Sequence, residues 1–148
     1  MSHLTIKTFV YPDAFIEMKA IRCSVFQEEQ SVEPALDLDN LDETADHLLA
    51  YLDNQPVGTA RIRYLDHKTA KIERLAVLAT ARGQGIGKKL MEKALDVAAQ
   101  KDIKEVVIYS QEYVKSLYQR LGFDKEGQRF EEAGIPHVKM RKRLEQPR

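Results

Sequence analysis

The sequence predicts a single α/β (α+β) domain over residues 1–148, with strands and helices in the order β-α-β-β-β-α-β-α-β-β. Three observations carry that prediction. Short runs rich in β-branched residues recur along the chain and are bounded by turn-forming clusters, as strands are. Between them lie stretches with apolar residues at steps of three and four, the period of a helix with one buried face. At the centre, the strand-like run Lys71–Leu78 passes through Arg82-Gly83-Gln84-Gly85-Ile86-Gly87 into the helical run Lys88–Leu95. A chain of 148 residues, 43% hydrophobic and 31% charged, buries a core without disulfide or metal support.

Leu4 to Val10 alternates and is rich in Thr, Ile, Phe and Val, so it reads as a first strand. Pro12 opens a helix with Phe15, Met18, Ile21 and Val25 on one face. Ser31 to Ala45 carries five acidic residues between Glu33 and Glu43 and little periodicity, which predicts a loop or short helical turns. His47–Asp53 and Val57–Tyr64 form a hairpin around Asp53-Asn54-Gln55-Pro56. Thr69–Leu78 is the next strand. A long helix runs from about Gly85 to Gln100 with Ile86, Leu90, Ala94 and Ala98 as its buried stripe. Glu105–Ser110 is a short strand, Glu112–Leu121 a short helix, and Phe123–Phe130 with Val138–Leu144 a closing hairpin.

Composition narrows the function classes. The 23 basic and 23 acidic side chains cancel, which argues against a protein that holds nucleic acid through its phosphates. Lys139 and Arg141-Lys142-Arg143 cluster near the C-terminus, and a solvated strand accounts for them. No apolar run spans a bilayer, and the first residues lack the pattern of a secretory signal. Cys23 is the only cysteine, so no internal disulfide forms. A cytoplasmic protein is expected, with no membrane or nucleic-acid partner and no metal.

The glycine segment carries the chemistry. A strand that turns through glycines into a helix start aims unpaired backbone N–H groups and the positive end of the helix dipole in one direction, which suits a phosphate or pyrophosphate. A dinucleotide fingerprint fails, because Leu90 stands where the third glycine belongs. A nucleotide P-loop fails too, because Lys89 stands where a hydroxyl belongs. The remaining pattern, R-x-x-G-x-G between strand and helix, resembles the acetyl-CoA pyrophosphate loop of the GNAT superfamily of N-acetyltransferases. Downstream, Leu117-Tyr118-Gln119-Arg120-Leu121-Gly122-Phe123 is similar to that superfamily's helix-end pattern, a tyrosine followed four residues later by Gly-Phe.

The resemblance implies a mixed, mostly antiparallel sheet of about seven strands flanked by about four helices. It also implies an acetyl-CoA-dependent enzyme acting on an amine. Leu75, Ala76 and Val77 would offer backbone groups to the pantetheine arm and the acetyl oxygen, where a preorganised N–H is worth about 3 kcal/mol of barrier. Arg82, Gly83, Gln84, Gly85, Ile86, Gly87 and Lys88 would hold the pyrophosphate. Gln111 is a further cofactor contact, at a place where many relatives carry asparagine. Tyr118 would protonate the leaving thiolate; its alternative is aromatic packing. Glu73 is a candidate base whose rival role is an ion pair with Arg74 or Arg61. His137 is another, with a half-buried strand residue as its alternative.

Arg22-x-x-Val25-Phe26-x-x-Glu29-Gln30, Asp39-x-x-Asp42, His47, Arg61 and Glu132-Ala133-Gly134-Ile135-Pro136-His137 resemble the ElaA/YjcF-like branch of the superfamily. Carried over, Arg22, Glu29, Asp42, His47, Arg61 and His137 form the acceptor pocket, or else a buried polar network. The acceptor would be a small amine or a peptide, and family habit suggests a homodimer. A non-catalytic acyl-CoA sensor and a protein lysine or N-terminal acetyltransferase stand as alternatives.

Overall fold

Seven strands form one sheet in the order β1-β2-β3-β4-β5-β7-β6. The computed structural model describes residues 3–34, 39–132 and 134–144. The strands are β1 (Leu4–Val10), β2 (Asp46–Leu52), β3 (Gln55–Tyr64), β4 (Thr69–Val77), β5 (Glu105–Gln111), β6 (Asp124–Glu132) and β7 (Ile135–Arg143). The helices are α1 (Phe15–Arg22), α2 (Ile86–Gln100) and α3 (Lys115–Arg120). Among the described residues there are thus three α-helices where about four were expected. A π-helical segment, Cys23–Glu29, prolongs α1, and single 3₁₀ turns at Ala79–Ala81 and Glu112–Val114 precede α2 and α3. All neighbouring strands are antiparallel except β4 and β5, which are parallel.

Side-chain alternation divides the interior into two cores. Adjacent strand residues point to opposite faces, and Leu48 packs with Ile62, Leu90 and Val106 while Leu49 packs with Ile21, Val25 and Ala76. The first core lies under α2, whose Ile86, Leu90, Ala94 and Ala98 are buried as expected, joined by Met91. The second lies under α1. Gly58 lets α2 approach closely: an added Cβ would stand 3.0 Å from Leu90 Cδ1 and 3.3 Å from the Ala76 carbonyl oxygen.

Element boundaries shift for local reasons. The β2–β3 hairpin closes with only Asp53 and Asn54, whose φ angles are 50° and 69°. Two positive angles in a two-residue loop match the twist of paired strands, so Gln55 and Pro56 join β3 rather than the turn. A register shift opposite Ala50 and Tyr51 accompanies the proline, which cannot donate to a ladder. α1 begins at Phe15, after a left-handed Ala14, and not at Pro12. The closing hairpin runs two residues further toward its turn than expected on the β6 side and begins three earlier on β7. Its Ala133 and residues 35–38 of the acidic segment lie outside the described residues. Among the described residues no helix is long and apolar enough to cross a membrane.

Candidate active site

The parallel ladder between β4 and β5 is short. It joins Thr69 to Glu105, Ala70 to Val106 and Lys71 to Val107, and stops there, although β4 runs on to Val77 and β5 to Gln111. The two strands therefore splay. β4 also carries a bulge where it faces β3: Thr59 and Arg61 of β3, two residues apart, pair with Ala76 and Glu73, three apart. Arg74 absorbs the extra residue at φ 55°, a left-handed conformation that costs a non-glycine residue about 1 kcal/mol. Bulges of this kind re-aim backbone groups next to functional sites. The splay opens a cleft of about 740 Å³ lined by Leu75, Ala76 and Val77 on one wall and Ile108 to Gln111 on the other.

The glycine segment closes one end. Gly83 and Gly85 have φ angles of 83° and 77°, and an added Cβ on either would meet nothing within 4 Å, so conformation and not space calls for glycine. Gly85 caps α2 without a side-chain hydrogen bond, and no acidic residue occupies the first turn. Lys89 N–H donates to the Gly85 carbonyl, 3.1 Å. The N–H groups of Ile86, Gly87 and Lys88 precede the first position able to reach an intrahelical acceptor. All three residues line the cleft, with Arg82, Gly83 and Gly85. Gln84 does not; its side-chain amide donates to the Ala81 carbonyl, 3.3 Å. These backbone donors, Lys88 and open space above the glycines fit a pyrophosphate.

Tyr118 and His137 stand on the same cleft. Tyr118 is 9% exposed and packs edge-on against Phe123, centroids 6.1 Å apart, so its packing role holds whatever its chemistry. His137 stacks on Phe130 at 5.9 Å, and its Nδ1 lies 2.7 Å from the Ile135 carbonyl oxygen. A carbonyl oxygen only accepts, so Nδ1 carries a proton and Nε2 is the nitrogen turned away from the backbone. Glu132 approaches Nε2 at 3.6 Å.

Glu73 lines the cleft but is enclosed by cations. Its Oε1 accepts from Arg61 at 2.6 Å and from Arg63, and its Oε2 faces Lys71 at 3.2 Å. Burial alone would raise its pKa. The charge of Arg61, the hydrogen bond from Arg63 and Lys71 outweigh burial and hold it at about 2. A carboxylate so stabilised takes a proton poorly, which counts against the base role. The ion pair crosses the sheet to Arg61, its rung partner, while Arg74 pairs instead with Asp39 at 3.1 Å.

Four acceptor candidates do not line the cleft. Arg22, Asp42, His47 and Arg61 form a buried network behind β4, the alternative left open by the sequence. Asp42 accepts from Arg22 at 2.7 Å and from Arg61 at 3.0 Å; Arg61 also grips both oxygens of Asp39 at 2.8 Å. Burial would raise the Asp42 pKa, but the two arginines lower it. His47 Nε2 lies 2.9 Å from the Asp42 carbonyl oxygen and the ring stacks on Phe9. Its Nδ1 is buried without a partner among the described residues, and burial lowers its pKa. The network ties the acidic segment to α1 and the sheet. Glu29 does face the cleft, where it grips Arg82. Gln111 lines the cleft and donates to Gln30 at 3.1 Å.

Sequence reasoning missed Arg74 as the bulge residue and the π-helical continuation of α1. Arginine gives no sign of a left-handed φ, and residues 23–29 carry ordinary helical composition.

Comparison with known proteins agrees with this geometry. The family model described as "Acetyltransferase (GNAT) domain" matches residues 14–144. Uncharacterized protein YyaT of Bacillus subtilis is 39% identical over 131 residues, 86% of this chain and 88% of its own. Uncharacterized N-acetyltransferase YjcF of the same organism is 32% identical, covering 82% and 87%. Protein ElaA of Escherichia coli is 34% identical, covering 81% of each. A solved acyl-CoA N-acyltransferase from Pseudomonas aeruginosa superposes with a TM-score of 0.86 at 29% identity, over 95% of this chain and 99% of that one. The E. coli ElaA structure gives 0.84 at 27%, over 93% and 99%.

Proposed function

The chain belongs to the acetyltransferase (GNAT) domain family, in its ElaA/YjcF-like branch, and on that premise we propose that it transfers the acetyl group of acetyl-CoA to a primary amine by direct attack in a ternary complex. The observation that carries the reading is the opening of the sheet between β4 and β5 beside the glycine segment, with Tyr118 and His137 on one cleft. Acetyl-CoA supplies an activated thioester. The N–H groups at the start of α2 and the Arg82 guanidinium hold its pyrophosphate, with Lys88 adding charge. The splayed, bulged end of β4 from Leu75 to Val77 directs backbone donors at the pantetheine arm and the acetyl oxygen, where each is worth about 3 kcal/mol.

His137 Nε2 takes the amine proton, since Nδ1–H is committed to Ile135. As the C–N bond forms and the C–S bond breaks, Tyr118 gives its hydroxyl proton to the departing sulfur. Burial of Tyr118 and His137 keeps bulk water from the reacting atoms. Glu73 stays ionised and sets the field behind the strand rather than moving a proton.

The test is thiol release from acetyl-CoA across a panel of amino sugars, polyamines, amino acids, aminoglycosides and short peptides. One acceptor class should give turnover that Tyr118→Phe lowers about 10²-fold while CoA binding is kept. Full turnover by Tyr118→Phe would remove its role as the acid. Silence with every acceptor, CoA binding intact, would favour a protein acceptor or a non-catalytic sensor instead.

A further inference from the structure

Glu29 and Gln30 end the π-helical segment, and their side chains reach opposite walls of the cleft. The Glu29 carboxylate grips the Arg82 guanidinium through both oxygens, while Arg82 Nε donates to the Val77 carbonyl at 3.0 Å, at the end of β4. The Gln30 amide oxygen accepts from Gln111 on β5 at 3.1 Å. Two consecutive residues thus bridge the opening between the splayed strands. A carboxylate that holds an arginine by both oxygens does what a phosphate does at the same arginine.

We propose that Glu29 is a latch that stands in for the cofactor's pyrophosphate on Arg82, and that displacing it releases Gln30 from Gln111 and opens the cleft. The inference rests on the acyl-CoA reading above. Magnitudes favour it. Arg82 and Glu29 are 42% and 41% exposed, and such surface pairs hold weakly. A doubly charged pyrophosphate that also gathers the helix N–H groups outcompetes one carboxylate. The segment is anchored at one end only: Val25 is buried in the core under α1 while Glu28 and Glu29 are exposed. π-helical turns are the weaker stretches of helices and recur at functional sites.

The experiment titrates CoA and S-acetylpantetheine, which lacks the pyrophosphate, into wild type, Glu29→Gln and Glu28→Gln by calorimetry. Glu29→Gln should bind both ligands roughly threefold tighter, because the latch no longer closes. Glu28→Gln removes the same charge one residue away and should bind as wild type does. In an Arg82→Gln background, Glu29→Gln should change nothing. Unchanged or weaker CoA binding by Glu29→Gln would overturn the latch, and so would an equal effect of Glu28→Gln. Tightening for CoA alone would also overturn it, since that is charge competition without closure. A wild-type protein that binds no CoA would instead overturn the acyl-CoA reading itself.

Discussion

Three cations around one carboxylate decide what Glu73 does. Its pKa of about 2 lies below the 4.5 of the free side chain, so the stability it contributes is complete above pH 4.5 and is lost as pH falls toward 2. Asp39 and Asp42, also lowered, act in the same direction. His47 is buried and its pKa lies below 6.5, so its neutral form favours the fold above pH 6.5 and protonation costs stability below it. Urea unfolding followed against pH should therefore show stability declining below pH 6.5 and more steeply below 4.5. Glu73→Gln should flatten the lower part; an unchanged slope would contradict the ion-pair assignment. His137→Ala, by contrast, should lower kcat/KM about 10²-fold, beyond the modest stability lost with its stacking on Phe130. That Tyr118 and His137 would share a cleft was legible because each sits in a motif with a fixed offset from glycine or proline. The ion pair of Glu73 was legible only as one of two roles, with Arg61 or Arg74 as partner, since the choice depends on a strand register no local sequence states.

At the scale of elements, the buried network explains why so many charges gather in the first half of the chain. Arg61 is 1% exposed and serves Asp39, Asp42 and Glu73 together. Removing one member of a buried pair leaves the others uncompensated, at a cost of about 3–5 kcal/mol. Arg61→Ala should lose about that much in denaturant unfolding. A loss under 1 kcal/mol, with acceptor binding abolished, would return Arg61 to the acceptor pocket. The sequence left a buried network and an acceptor pocket as equal readings of these residues, because the choice depends on how the acidic segment folds back on α1. α2 was legible almost to the residue, since an apolar stripe and a glycine start are local features. Where β4 and β5 part was not legible. Both strands read as ordinary apolar runs, and the Arg74 bulge has no compositional mark.

For the whole molecule, the sheet does two jobs: its closed half holds two cores together, and its split half makes a cleft. The outer strands and helices were readable from alternation and period. The cleft arises only when a parallel pair stops after three rungs, which is a property of the assembled sheet. Gly87 tests whether that cleft is a cofactor site. An added Cβ there would meet only Val77 Cγ2, at 3.9 Å, an ordinary contact. Alanine in a helix is more stable than glycine by about 0.5–1 kcal/mol, so Gly87→Ala should fold at least as stably as wild type. On the proposed reading, the same methyl would stand where a pyrophosphate meets the first turn of α2. The decisive measurement is CoA binding to Gly87→Ala beside its unfolding midpoint. The account predicts affinity reduced roughly tenfold or more, as a lost close approach of phosphate to helix N–H groups implies, with stability kept or raised. Undiminished binding by a stably folded Gly87→Ala would contradict the placement of the cofactor at this loop.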